Sequence, residues 1–391
     1  MSKAYIAGVG MIPFVKPGKS ETYDKMAELA VREALKDAGI DYSQIEEAAV
    51  GYTMGDSCNG QEALYRIGLS GIPIVNVENA CASGSSAVYL MRRAIESGEA
   101  DIALALGFEQ MPAGSPQNSF ADRPMFSKIK ETTRAIQGWE EQAAIPLQVF
   151  GGAYIELKNK YGYKDETFAR LSVKSRAHAQ HNPYALFREP TTVEAVLASK
   201  PIWGPLTLFQ CSPSTCGAAA VVLVSERARR RLGLDRAVLI AGQALATDTA
   251  ESFSGGSMCD VVGARISRRA AARAFEQAAV GPQDIDVVEL HDCFTPNEIV
   301  CYEALGLVAE GESEKFILDG QNTYGGRVVV NPSGGLLSKG HPIGATGIAQ
   351  MCELTWQLRG DAGKRQVEGA RVAMQHNVGL GGASVVTILR K

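Results

Sequence analysis

No stretch of this chain is apolar for long enough to cross a bilayer as a helix. The longest runs are of the Ala218–Val224 kind, against the roughly 20 residues a spanning helix needs. A basic excess is missing too: 39 Lys and Arg stand against 43 Asp and Glu, for a net charge of −4. Nothing in that balance favours a polyanion, so nucleic acid is not an expected partner, and neither is membrane insertion. Cysteine is sparse. Cys58, Cys81, Cys211, Cys216, Cys259, Cys293, Cys301 and Cys352 follow no spacing that a disulfide framework would use, so reduced thiols are expected. Metal ligation is not expected, because Cys211 and Cys216 have no second ligand pair nearby and His178 and His181 lie in a polar segment. The start lacks a basic segment followed by a long apolar one, and Ile388–Lys391 is not a Ser-Lys-Leu peroxisomal address. The cytoplasm is the expected location.

What the chain has in quantity is glycine, 41 residues, clustered where apolar runs end, and 46% apolar residues to fill a core. Residues 4–9 read as a strand, 23–38 as an amphipathic helix stopped by Gly39, and 46–52 and 74–78 as strands. Cys81 opens a helical stretch to about Ser97, ended by Gly98, with the strand Ile102–Leu106 behind it.

Ala34-Leu-Lys-Asp-Ala-Gly-Ile-Asp-Tyr-Ser-Gln-Ile45 runs parallel to Ala274-Phe-Glu-Gln-Ala-Ala-Val-Gly-Pro-Gln-Asp-Ile285, and Ala4–Gly8 is matched loosely by Val238–Gly242. An offset near 240 residues is too long for a solenoid and points to one α/β unit used twice. The expected division is an N-terminal half over 1–235 and a C-terminal half over 236–391, with an inserted loop domain at about 110–215. That insertion, rich in Pro, Ser, Gln and charge, is of a size that covers or shapes a binding site. Met111, Met125, Phe126, Trp139 and Trp203 within it are candidates for an acyl or sterol pocket, or for simple packing.

Four segments could carry chemistry. Cys81 follows a strand and meets the first turn of a helix, where free N–H groups and the macrodipole favour an anion. A thiol there has a lowered pKa and suits covalent catalysis; a small Cys packed in a tight turn is the alternative. His291-Asp-Cys293-Phe stands at the end of the strand Ile285–Leu290, where α/β folds hold ligands, though both side chains could be structural. His341 lies in a glycine-dense loop that enters a helix and fits neither a Walker motif nor a dinucleotide fingerprint. It could approach a ligand or pack against its counterpart in the other half. His376-Asn-Val-Gly379-Leu-Gly-Gly precedes the last strand and offers N–H donors for an oxyanion, or a plain turn.

Taken together, Asn79-Ala-Cys-Ala-Ser-Gly, His291-Asp-Cys-Phe and Gly340-His-Pro-Ile-Gly-Ala-Thr-Gly resemble the thiolase superfamily. Asn322-Thr-Tyr-Gly-Gly, Asn331-Pro-Ser-Gly-Gly, Trp356-Gln-Leu-Arg-Gly and Gln375-His-Asn-Val-Gly narrow the resemblance to the thiolase domain of the sterol carrier protein X type. The resemblance spans essentially the whole chain and implies a duplicated five-layered α/β/α/β/α fold. It also implies cleavage of a 3-ketoacyl-CoA by CoA to acetyl-CoA or propionyl-CoA plus a shortened acyl-CoA, or the reverse condensation. CoA would be a co-substrate, with no permanently bound cofactor. In this reading Cys81 is the nucleophile, His341 takes its proton, and Cys293 is the acid/base thiol. The side chains of His291 and His341 would hold the enolate oxygen, and the N–H groups of Cys81 and Gly379 the acyl-enzyme oxyanion. Ordinary thiolases carry Asn-Glu-Ala-Phe in place of His291-Asp-Cys-Phe and a Cys-x-Gly in place of Asn377-Val-Gly379, which is why the second thiol is sought at Cys293.

The resemblance further implies a homodimer or a dimer of dimers. Because the sequence stops at Lys391 without the small lipid-carrier domain of that type, lipid transfer is not expected as its own activity. Three other readings remain: a thiolase-like aldolase of steroid side-chain breakdown with a small OB-fold partner, a ketosynthase using acyl carrier protein, and a non-catalytic binder of acyl-CoA or lipid. Intact Cys81 and both histidines weigh against the aldolase.

Overall fold

The computed structural model describes residues 3–113 and 122–391. The first half runs β1 (Ala4–Met11), α1 (Tyr23–Ala38), β2 (Glu47–Gly51), α2 (Asn59–Tyr65), β3 (Ile74–Val77), α3 (Ser83–Ser97) and β4 (Ile102–Glu109). Before this half closes with β7 (Gly217–Ser225) come α4 (Ser127–Gln137), α5 (Ile145–Tyr161), α6 (Asp165–Ala179), α7 (Val193–Leu197) and the short pair β5 (Pro201–Trp203) and β6 (Leu206–Thr207). Past α8 (Glu226–Arg231), the second half runs β8 (Val238–Thr247), α9 (Glu251–Ser254), α10 (Met258–Val261), α11 (Ala264–Ala278), β9 (Val287–Glu289), α12 (Thr295–Ala304) and α13 (Ser313–Leu318). It ends with β10 (Val329–Val330), α14 (Gly335–Ser338), α15 (Ile343–Arg359), β11 (Val372–Gly379) and β12 (Ala383–Arg390).

The strand order β10-β9-β11-β12-β8-β1-β7-β4-β2-β3 makes the duplication visible. Read outward from its middle, five strands of one half mirror five of the other, joined by the short pairing of Tyr5 and Ile6 with Leu239 and Val238. In each half, parallel strands sit at the outside and antiparallel strands toward the join. α1 covers β1 and β7 as α11 covers β8 and β12, while α3 and α15 pack together in the middle, α15 touching strands of both halves. Helix, sheet, helix pair, sheet, helix is the five-layered α/β fold that the resemblance implies.

One close approach shows the repeat in atomic detail. A Cβ on Gly8 would lie 2.3 Å from the Ala34 carbonyl oxygen, and a Cβ on Gly242 would lie 2.2 Å from that of Ala274. Helix and strand therefore meet backbone to backbone at matching places in the two halves, and only glycine fits there.

The ends of the strands and helices read from the sequence hold to within a few residues, with two differences. α2 was not expected, its seven residues being too short for a clear helical period. His376–Gly379 is the end of β11 rather than part of the turn before the last strand, because its backbone continues the antiparallel ladder with Ala383–Val386, leaving the turn to residues 380–382.

Candidate functional site

The duplication places the two key loops opposite each other. β3 runs through Cys81 into α3 in one half, and β10 runs through His341 into α15 in the other, so the N-terminal ends of the two central helices meet. His341 Nε2 lies 3.2 Å from Cys81 Sγ, across 260 residues of sequence. The His291 ring stands 5.1 Å from the His341 ring at 80°, and the donor atoms of Cys81, His291 and His341 all lie within 4.8 Å of one another.

Cys81 is held by its own turn. Ala80 adopts φ +46°, Asn79 N–H donates to Ser83 Oγ at 2.9 Å, and Ser83 Oγ donates to the Ala80 carbonyl at 2.6 Å. The thiol lies just before the N-cap of α3, and burial pushes it up to about 12, against smaller lowering from the N–H groups of Leu380 and of Cys81 itself. That direction is opposite to the lowering expected from the helix N-terminus. A helix N-terminus favours a thiolate, and at half-buried Cys81 desolvation works against it.

His341 is oriented by two bonds. Its backbone N–H donates to Thr215 Oγ1 at 2.6 Å, and its ring Nδ1 lies 2.7 Å from Thr346 Oγ1. Thr346 spends its hydroxyl proton on the Pro342 carbonyl at 2.9 Å, so it accepts from Nδ1–H and leaves the Nε2 lone pair facing Cys81. Burial takes the imidazole down to about 3. The resting pair is a neutral thiol against a neutral base.

The loop carrying His341 is pinned to the end of β9. Glu289 accepts from Ser333 N–H at 3.0 Å and Oγ at 2.8 Å and pairs with fully buried Lys339 at 3.2 Å. Asp292 accepts from Leu336 N–H at 2.7 Å and is pushed up to about 7, chiefly by burial and then by Glu298. Between these two carboxylates His291 points the other way, into the site, and Asn377 Nδ2 lies 2.8 Å from its Nδ1. Burial and the neighbouring histidines keep His291 well below the ordinary imidazole range.

Cys293 is buried two residues further on. Burial pushes its thiol up, and proximity to Cys81 adds to that. Its carbonyl accepts from Ser212 N–H at 2.8 Å, and Phe294 stacks on Phe150 at 4.8 Å. Gly379 abuts the nucleophile turn so closely that a Cβ would lie 2.1 Å from the Asn79 carbonyl oxygen.

Of the five candidate pocket residues, Phe126 reaches the turn after Gly379: a Cβ on Gly381 would lie 2.8 Å from its ring. Met111 is buried among the first-half core residues, and Trp203 packs on Gly151 and donates to Glu140 at 3.1 Å. Sequence reasoning missed Thr346, Leu380 and Asn377, although all three lie within or beside the quoted motifs. It also missed Glu109, a buried carboxylate that accepts from Met54 N–H at 2.8 Å and Gly344 N–H at 2.9 Å and so fixes the start of α15. No motif marks that residue.

Residues 4–189 match the family description "Thiolase, N-terminal domain" and residues 248–391 match "Thiolase C-terminal domain-like". The chain belongs to the thiolase family, whose members are generally acyltransferases. Within it, the chain stands with the sterol carrier protein type: it is 48% identical over 396 residues to Sterol carrier protein 2 of Oryctolagus cuniculus, across 100% of this chain and 72% of that protein. It is also 36% identical to the benzoylsuccinyl-CoA thiolase subunit BbsB of Thauera aromatica, across 97% of this chain and 95% of that one. Among solved structures, the Ltp2-ChsH2(DUF35) aldolase superposes with a TM-score of 0.83 at 24% identity, covering 99% of this chain and 97% of that one. Human mitochondrial 3-ketoacyl-CoA thiolase in complex with CoA gives 0.75 at 17%, covering 100% and 98%. Among the described residues no helix is long and apolar enough to cross a membrane.

Proposed function

We propose that this protein is a thiolase that cleaves a 3-ketoacyl-CoA with CoA, or runs the reverse condensation, through an acyl-enzyme on Cys81. The observation that carries the reading is the 3.2 Å approach of His341 Nε2, lone pair forward, to Cys81 Sγ. Sγ attacks the 3-keto carbon as His341 takes the thiol proton, the usual activation of a thiol by an adjacent base. The N–H groups of Cys81 and Gly379, joined by that of Leu380, hold the resulting oxyanion. The bond between C2 and C3 then breaks, leaving the acyl group on Cys81 and an enolate on the departing thioester.

The enolate oxygen sits between His291 and the now protonated Nε2 of His341, and Cys293 gives its proton to the enolate carbon. The Cys293 thiolate next takes the proton of an incoming CoA thiol. The CoA sulfur attacks the thioester, and Cys81 leaves and recovers its proton from His341. Phe126 beside the Gly381 turn, and the Phe150–Phe294 stack behind Cys293, support an apolar wall for the acyl chain.

CoA enters as co-substrate, as the CoA complex of the human thiolase supports. A homodimer, or two such pairs, fits the sheet edge at β3, where Val75 is exposed. Eight unpaired thiols suit the cytoplasm.

The test is thiolytic cleavage of acetoacetyl-CoA and of a longer 3-ketoacyl-CoA by wild type, Cys81→Ala and Cys293→Ala. Loss of turnover in both variants, with loss of acyl-enzyme only in Cys81→Ala, is expected. A wild type that binds CoA thioesters and cleaves neither would move the aldolase with an OB-fold partner, or a binder, to the front.

A further inference from the structure

We infer that Asn377 is a positioning residue which, through a buried chain of amides and hydroxyls, locks His291 in the tautomer that carries its proton on Nε2. The inference rests on the thiolase reading of the site and says how that site keeps one histidine as a donor while its neighbour, 5.1 Å away, is a base.

Amide orientation is often a matter of assignment, but this chain begins at a group that cannot be turned round. The His376 carbonyl only accepts, so the Gln350 side chain must present Nε2 to it, at 3.2 Å. Gln350 Oε1 then accepts from Gln375 Nε2 at 2.9 Å. The same Gln375 Nε2 donates to Ser85 Oγ at 2.8 Å, while Gln375 Oε1 accepts from Thr387 at 3.1 Å. With an N–H arriving, the Ser85 hydroxyl is directed onward to Asn377 Oδ1, 3.1 Å away. Asn377 therefore turns its Nδ2 toward His291 Nδ1 at 2.8 Å, and that ring nitrogen accepts. The remaining proton of a neutral imidazole must sit on Nε2.

Every side chain in this path is buried, and the path is contributed by α3, α15, β11 and β12. It also accounts for Gly347 in the Gly-Ala-Thr-Gly run. A Cβ there would lie 2.0 Å from Ser85 Oγ and 2.9 Å from Asn377 Oδ1, on top of the bond that sets the orientation.

Two consequences separate this arrangement from simple packing. His341 carries its proton on Nδ1 and His291 on Nε2, so the pair divides into a base for Cys81 and a donor for the enolate oxygen. Cys81, His291 and His341 also bring three donor atoms within 4.8 Å of one another, and His291 could ligate a metal through Nε2 only by moving its proton to Nδ1, against the Asn377 amide.

The variant to make is Asn377→Asp, equal in size but able only to accept when ionised. Its carboxylate draws the His291 proton to Nδ1 and strips the donor from Nε2. Carbon–carbon cleavage of acetoacetyl-CoA should fall about a hundred- to a thousandfold, the usual cost of one oxyanion donor. Exchange of labelled CoA into a simple acyl-CoA, which uses Cys81 and His341 but forms no enolate, should stay within a few-fold of wild type. Lowering the pH should restore cleavage in the variant by protonating the new His–Asp pair, a limb absent from the wild-type profile.

In the unaltered protein, long-range ¹H–¹⁵N correlation of ¹⁵N-histidine, with His291→Asn to identify the signal, should show a bare Nδ1. That measurement stands even if the aspartate variant does not fold. A protonated Nδ1 in wild type, unimpaired cleavage by Asn377→Asp, or equal loss of cleavage and exchange would overturn the inference. Absence of both reactions in wild type would instead overturn the thiolase reading.

Discussion

A resting neutral pair at Cys81 and His341 is the least intuitive feature of the site, and it can be checked directly by replacing Cys81 with serine. The thiol is pushed up to about 12 and the imidazole down to about 3, both by burial. Proton transfer between them would create opposite charges 3.2 Å apart. At an effective dielectric near 20 their attraction is worth about 5 kcal/mol, or about four pKa units. That recovers less than half of the separation between the two groups, and leaves the ion pair at roughly one part in 10⁵. Thiolate absorbance near 240 nm, recorded at pH 7 for wild type and Cys81→Ser, should therefore show no difference attributable to a thiolate. Loss of one thiolate equivalent in the variant would refute the reasoning, and would mean that the N–H groups of Leu380 and Cys81 outweigh desolvation.

Thr346→Val removes the acceptor that holds the His341 proton on Nδ1 and leaves a buried donor unpaired, at a cost of about 1–3 kcal/mol. Acyl-enzyme formation should slow about ten- to a hundredfold, and Thr346→Ser should restore it; an unchanged rate in the valine variant would contradict the assigned tautomer. Gly242→Ala puts a methyl group 2.2 Å from the Ala274 carbonyl and should destabilise the second half by about 1–3 kcal/mol or more, read as a lower urea midpoint. His178, His341 and His376 each drop to about 3 on burial, below the free value of 6.5. The unfolded chain takes up those protons first, so stability is full above pH 6.5 and is lost as pH falls toward 3, by about 1.4 kcal/mol per pH unit for each group. A melting temperature that does not fall between pH 6.5 and 5 would refute their neutral burial.

The fold was legible because its signals are local or repeated. The Ala34–Ile45 and Ala274–Ile285 segments carry the same helix-to-strand register, and the glycines at 8 and 242 mark the same backbone contact. Cys81, His291 and His341 could be picked out because nucleophile and base residues stand at strand ends and helix starts. Their mutual distances were not legible, since they depend on how two halves more than 200 residues apart are mated. The desolvation acting on the Cys81 thiol was not legible for the same reason: helix position is written in the sequence, but what the fold packs around a half-buried side chain is not. Glu109 and Asn377 escaped because a buried carboxylate or amide at a strand end looks like any polar loop residue until its partners are seen.

The central claim is a covalent acyl group on Cys81, and intact-protein mass spectrometry after brief exposure to a 3-ketoacyl-CoA without free CoA tests it most directly. The account expects wild type to gain the mass of the shortened acyl group, mapped to the peptide bearing Cys81, to release it when CoA is added, and Cys81→Ala to gain nothing. An unmodified wild type that still cleaves the substrate, or an acyl group mapped to Cys293, would contradict it.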